Sequence, residues 1–251
     1  LDVPIAPATY ARDLKNKGLS YFKFRKKHIA HENSSFLLAD HIISPSKFVK
    51  NLLIKDKIEA AKIKVIEFGS DQVEFNRKWS IKKKINFCFA GIINNRKGIR
   101  ELLEAWADKN FKGSSLHLCG RITSDVKDLN IHNFSNIILP GFVNTYDYFQ
   151  ACDVFVFPSW MEGSSKSIYE AMSLGMPIIT TMNSGSIVRD GIDGIIVEAG
   201  NVDELSKAML FFLKYPNKIK EMGTNAKNRA KKFTWERYSD SVYSVYKNIL
   251  G

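Results

Sequence analysis

The sequence predicts an α/β protein built on a doubly wound, Rossmann-like parallel sheet, and three observations carry that prediction. From about residue 85 onward, apolar runs of strand length alternate with runs of helical periodicity, the order expected of βαβ units. The run DVFVFPS, Asp153 to Ser159, is apolar without alternation, as a strand covered on both faces must be. Behind it, SKSIYEAMSLG places apolar residues on one helical face, opens on Ser164 or Ser165 as N-cap and stops at Gly175.

The elements follow in order. Before the sheet come a long helix over 8–38, a strand over 41–44, a helix over 46–55 and a strand over 62–66, too few strands for a closed sheet. A basic segment, 73–84, reads as a hinge. The sheet domain then runs strand 85–90, helix 98–108, strand 115–119, strand 136–139, helix 145–151, strand 153–157, helix 165–174, strand 177–180, strand 195–198 and closing helices. Residues 234–249, TWERYSDSVYSVYKNI, place aromatic and valine residues at helical spacing and are expected to pack back on the first part. The expected organisation is therefore 1–72, the hinge 73–84, a ligand-binding domain 85–232 and a returning helix 233–251.

Composition narrows the function classes. With 251 residues, 45% of them hydrophobic, the chain can bury one or two cores. No run is long enough to cross a bilayer and no secretory leader is recognisable. Cys88, Cys119 and Cys152 are odd in number and lie in or beside strands, so they read as buried free thiols of a reducing, cytoplasmic compartment. His28 and His31 share a helix face without further ligands and read as surface, not metal. Residues 1–84 hold 18 Lys and Arg against 9 Asp and Glu, whereas 85–251 hold 19 against 17. The basic residues of the first part mingle with aromatics in YFKFRKK and RKWSIKKK, which fits either ordinary solvated charge or peripheral contact with an anionic membrane face. No nucleic-acid-binding motif accompanies them.

The stretch PSWMEGSSKSIYEAMSLGMP, Pro158 to Pro177, sets Glu162 in a strand-to-helix loop and Glu170 on the helix. The backbone amides of Ser164, Ser165 and Lys166, unpaired at the helix start, are expected to face the C-terminal edge of the sheet and bind a phosphate. In a doubly wound sheet the crevice opens where strand order reverses, here between the strands ending at Gly91 and Ser159. Lys97 and Glu162 belong to the loops after those strands and are expected to meet across one cleft. A dinucleotide fold needs G-x-G-x-x-G at the first turn; this chain has Gly91 and Gly98 separated by IINNRK and presents a lysine instead.

These segments, in this order, resemble the retaining glycosyltransferases of family 4, which have the GT-B fold. FAGIINNRKGIRELLEAW, NIILPGFVNTYDYFQACDVFVFPS, the Glu162 to Pro177 segment and SGSIVRDGIDGIIVEAGNVDELSKAM carry the resemblance, with ADHIISPSKFVKNLL and KIKVIEFGSD as the end of a first domain. The resemblance implies transfer of a sugar, with retention, from a nucleoside diphosphate (uridine by family habit) to a saccharide or lipid-linked acceptor in surface polysaccharide or glycolipid synthesis. It implies Lys97 and Glu162 as catalytic groups, Glu170 on the ribose, and Gly91, Arg96, Gly163, Ser164, Ser165 and Lys166 around the donor, with no cofactor and no metal. Ile92 stands where family members often have a diphosphate-binding arginine, and Arg96 is the expected substitute. Ser164-Ser165 replaces a frequent Phe-Gly, and Ser186 a frequent glutamate. Because a full member has a larger first domain, the resemblance also implies a truncated chain. A donor-binding module inactive without its acceptor half, and a nucleotide-sugar epimerase, are the alternative readings.

Overall fold

A computed structural model describes residues 7–16, 18–19, 26–75, 77, 84–108 and 111–251. The first unit contains helices α1 (Ala8–Asn16), α2 (Lys26–Leu38) and α3 (Lys47–Lys55) and the parallel pair β1 (Ile42–Ser44) and β2 (Ile63–Val65). The expected single helix over 8–38 is thus broken. Gly18 adopts φ 92°, and paired bonds from its N–H to Lys15 O and from the Leu19 N–H to Leu14 O close α1 in a Schellman motif. Helical periodicity continues past that glycine in sequence, but α1 ends before it. The basic segments Tyr21–Lys27 and Arg77–Lys84 lie for the most part outside the described residues.

The second unit is a six-stranded, wholly parallel sheet of β3 (Asn86–Ala90), β4 (Ser115–Cys119), β5 (Ile137–Gly141), β6 (Val154–Phe157), β7 (Ile178–Thr181) and β8 (Gly194–Val197), in the order β5-β4-β3-β6-β7-β8. The chain winds outward from β3 to β5, returns to β6 and winds outward the other way, so the strand order reverses between β3 and β6. β6 and β7 are buried at every position, which explains the uninterrupted apolar sequence of β6; the two threonines of β7 are buried with their hydroxyls donating to Phe157 O and Ser159 O. Pro140 is tolerated in β5 because that strand lies at an edge. α4 (Ile99–Asp108) packs with α7 (Val202–Lys214), while α6 (Lys166–Ser173) packs with α8 (Asn217–Ala230). Right-handed crossovers in opposite directions put α4 and α6 on opposite faces of the sheet. α5 (Thr145–Tyr148) is a single turn before a short 3-10 segment. All three cysteines are buried and free.

The last helix, α9 (Trp235–Leu250), crosses to the first unit, where Val245 joins Ile43 and Ile66 in a small apolar cluster. Arg237 of α9 also reaches Glu67 at 3.3 Å. In the connecting segment, Arg77 donates to the carbonyls of Leu174 (3.0 Å), Phe149 (3.0 Å) and Cys152. One guanidinium thus satisfies the C-terminal end of α6 and the turn before β6, where a cation is also favoured by the helix dipole. Among the described residues no helix is long and apolar enough to cross a membrane.

Replacing Arg77 with alanine strands these carbonyls. We expect a loss of about 2 to 4 kcal/mol, from charged hydrogen bonds of roughly 1.5 to 3 kcal/mol each partly replaced by water, measured by urea denaturation. A change below 0.5 kcal/mol contradicts the assignment.

Candidate functional site

Two glycines open the cleft at the reversal point. Gly91 and Gly120 leave β3 and β4 at φ 147° and 145°, and a Cβ on Gly120 would stand 1.8 Å from the Gly91 carbonyl oxygen, so only glycine lets the strand ends touch there. Gly98, at φ 75°, ends the turn Asn95–Lys97 and lies so near β6 that a Cβ would fall 2.0 Å from Pro158 O. This contact clasps the loop after β3 onto the end of β6. The Trp160 N–H and the Ser159 hydroxyl then both donate to Arg96 O, at 3.0 and 3.1 Å.

The clasp brings Lys97 to Glu162, with Nζ 2.6 Å from Oε1. Arg96 donates to the same oxygen at 2.6 Å and to Met161 O at 2.8 Å. Lys97 is 12% exposed at its side chain and rests over the Phe157 ring, 4.8 Å from the centroid. Burial holds its pKa below the ordinary 10.5, with Glu162 pulling it back up and Arg96 pressing it down. The second carboxylate oxygen of Glu162 meets no donor among the described residues and is free to accept from a ligand hydroxyl.

On α6, Glu170 is buried along the cavity wall. Its Oε2 accepts from Thr145 Oγ1 at 2.8 Å, and Lys166 stands 3.7 Å from Oε1. Gly175, at φ 75°, ends the helix as expected. At the N-terminus the expectation needs one correction: the Ser165 amide donates to Ser184 O at 3.1 Å and is not free. Its loop is pulled against the turn after β7, which claims that donor. The amides of Ser164, Lys166 and Ser167 meet no acceptor among the described residues.

A cavity of about 920 Å³ collects these groups: Gly91, Lys97, Glu162, Ser164, Ser165, Lys166, Ser167 and Glu170 all line it. Two expected residues do not. Gly163 turns its carbonyl to Ser46, 2.6 Å away, and Arg96 is turned onto Glu162 and Met161 instead of toward the cavity. Ile92 does line the wall, and so does Arg121, directly after Gly120, whose guanidinium meets no acidic partner among the described residues. Sequence reading missed Ser167, Thr145 and Arg121. Ser167 follows from the rule that the first turn leaves several orphan amides; Arg121 and Thr145 follow from the same C-terminal edge of the sheet that located Lys97.

The sequence of residues 84–215, just over half of the chain, matches the family model described as glycosyl transferases group 1. An uncharacterized glycosyltransferase of Methanocaldococcus jannaschii is 29% identical over 245 residues, covering 94% of this chain and 65% of that protein. The chain therefore spans a little under two thirds of that relative. The capsular polysaccharide biosynthesis glycosyltransferase CapM of Staphylococcus aureus is 25% identical over 264 residues, covering 95% of this chain and 69% of CapM. Among solved structures, Anabaena HepE in complex with UDP-glucose superposes with a TM-score of 0.78 at 19% identity, over 90% of this chain and 68% of that one. At that identity the likeness shows the fold, which is GT-B.

Because the folded pKa of Lys97 lies below its unfolded value of 10.5, the ammonium costs stability at neutral pH; that cost is relieved as pH rises between the two values. Glu162→Gln removes the partner that raises it. The Lys97 side chain should then titrate lower still, followed by NMR of its Cε and Nζ. An unmoved titration would show that the pair carries no electrostatic coupling.

Proposed function

We propose, from the premise that this chain belongs to the glycosyl transferases of group 1, that its cavity binds the nucleoside diphosphate sugar, UDP-linked, from which the whole protein transfers the sugar with retention. The acceptor is a saccharide or lipid-linked saccharide of surface polysaccharide or glycolipid synthesis. The kinship with CapM and the UDP-glucose complex of HepE support the substrate class. The observation that carries the reading is the joint presence, on one cavity, of Lys97, the α6 amides and the two carboxylates Glu162 and Glu170.

Each group has a place in the chemistry. As the bond from the anomeric carbon to the diphosphate oxygen breaks, its electron pair remains on the diphosphate and negative charge grows there. Lys97 and the amides of Ser164, Lys166 and Ser167 oppose that charge from positions fixed before the ligand binds. The helix dipole contributes about 0.3 to 1 kcal/mol, whereas one well-placed donor in a water-excluded site is worth roughly 3 to 4 kcal/mol. Lys97 therefore outweighs the helix end. Glu162 Oε2 accepts from hydroxyls of the transferred sugar, and Glu170 from the ribose. Arg121, the cavity cation left over by the two carboxylates, takes the anchoring role that Ile92 cannot fill and Arg96 is too occupied to fill. With this much positive charge supplied by the chain, the reading calls for no resident metal.

Titration of UDP and UDP-glucose into the chain tests the reading. Binding is expected, and Glu170→Ala should weaken it about 10- to 100-fold, the loss of charged hydrogen bonds worth roughly 1.5 to 3 kcal/mol. Absence of binding, or indifference to Glu170→Ala, would overturn it. Retention is read from the anomeric configuration of the product formed by the whole protein.

A further inference from the structure

Every residue lining the cavity falls between Ala90 and Glu170, yet the loop that carries Glu162 into it is held partly from the first unit. That loop lies on the turn after β7. The Glu162 N–H donates to Asn183 O at 3.0 Å, the Ser165 N–H to Ser184 O at 3.1 Å, and the Ser164 hydroxyl to Gly185 O at 3.1 Å. Asn183 Nδ2 donates back to Trp160 O at 3.0 Å. Loop and turn are so close that a Cβ on Gly185 would fall 2.1 Å from Gly163 O.

Two side chains of the first unit complete this layer. Ser46, 3% exposed, donates its hydroxyl to Gly163 O at 2.6 Å across 117 positions of sequence. With its oxygen it also accepts the Val49 N–H at 3.3 Å, the N-cap bond of α3. Tyr10 accepts from Asn183 Nδ2 at 2.7 Å, and its ring stands edge-on to Phe48 with centroids 5.5 Å apart. Capping α3 uses a lone pair of Ser46, whereas the bond to Gly163 uses its proton, so the second contact is not a by-product of the first. The loop that receives these bonds leads directly into the unpaired amides of Ser164, Lys166 and Ser167.

We infer that Ser46 and Tyr10 are positioning residues for the cavity, two struts through which the first unit fixes the Trp160–Ser165 loop and the helix start behind it. A loop containing glycine loses much backbone entropy when ordered. Ordering it before a ligand arrives lowers the cost of binding. Both struts leave the same unit, so the order of the loop depends on two contacts made from outside the cavity's own sheet.

The inference deepens the nucleotide-sugar reading and rests on it for one arm of its test only. Hydrogen exchange and UDP titration are compared in the whole chain, in Ser46→Ala, in Tyr10→Phe and in the double variant. The bonded amides of Trp160, Glu162 and Ser165 should exchange about tenfold faster in Ser46→Ala, with those of β3 and β6 unchanged, as expected when a buried hydrogen bond is lost. Tyr10→Phe, which removes no helix cap, should loosen residues 160–162 and 183, and it decides the matter if Ser46→Ala does not fold. The dissociation constant for UDP should rise about tenfold or more in the double variant. Faster exchange confined to 47–55 would reduce Ser46 to a helix cap and overturn the inference, as would unchanged exchange at Trp160, Glu162 and Ser165 or unchanged UDP affinity despite a looser loop. Should UDP fail to bind even the parent chain, the proposed function falls while the exchange comparison still decides whether the struts hold the loop.

Discussion

Lys97 and Glu162 hold each other in a crevice where water is largely excluded, and the surrounding structure is arranged to make that pairing possible. A buried ammonium is costly unless a carboxylate meets it in good geometry. Here the meeting depends on backbone contact, since Gly98 seats the loop after β3 directly on Pro158 at the end of β6. Arg96 shares the carboxylate oxygen and ties the next carbonyl, so the loop after β6 is gripped at several successive residues. A sheet that reverses direction between β3 and β6 leaves a gap between these two loops, and the ion pair spans it. Charge and cavity are thus consequences of one topological fact.

The same pairing divides the labour among the remaining groups. Glu162 spends one oxygen on its two cations and keeps the other for the cavity; Glu170 is steadied by Thr145 from the far wall. Between them lies a helix start whose free amides are selected by their neighbours: Ser165 is drawn to Ser184, while Ser164, Lys166 and Ser167 remain. An anion in the cavity would meet an ammonium on one side and oriented amide dipoles on the other. Such a site is prepared before any ligand binds, and much of the preparation is done by residues that never touch the cavity.

The middle of the sheet was legible because a strand buried on both faces is apolar without alternation, as in VFVF of β6. The meeting of Lys97 and Glu162 was legible because topology places the loops after β3 and β6 at one edge. What sequence could not show was competition for donors and acceptors. Arg96 and Lys97 are adjacent cations, and only three-dimensional packing decides that one is consumed by Met161 O and Glu162 while the other lines the cavity. Ser165 looks like its neighbours, yet the turn at Ser184 takes its amide. The end of the first helix at Gly18 was hidden because apolar spacing in sequence can run on past a helix stop. Contacts such as Ser46 to Gly163 join residues 117 positions apart and carry no local signature.

The most direct measurement is backbone amide NMR of the chain during addition of UDP. The account predicts that the signals of Ser164, Lys166 and Ser167 move downfield together with perturbation at Gly91 and Gly120, while the Ser165 amide, already bonded to Ser184, moves least of the helix start. Perturbations centred away from the loops after β3 and β6, with the α6 amides unmoved at saturating UDP, would contradict it.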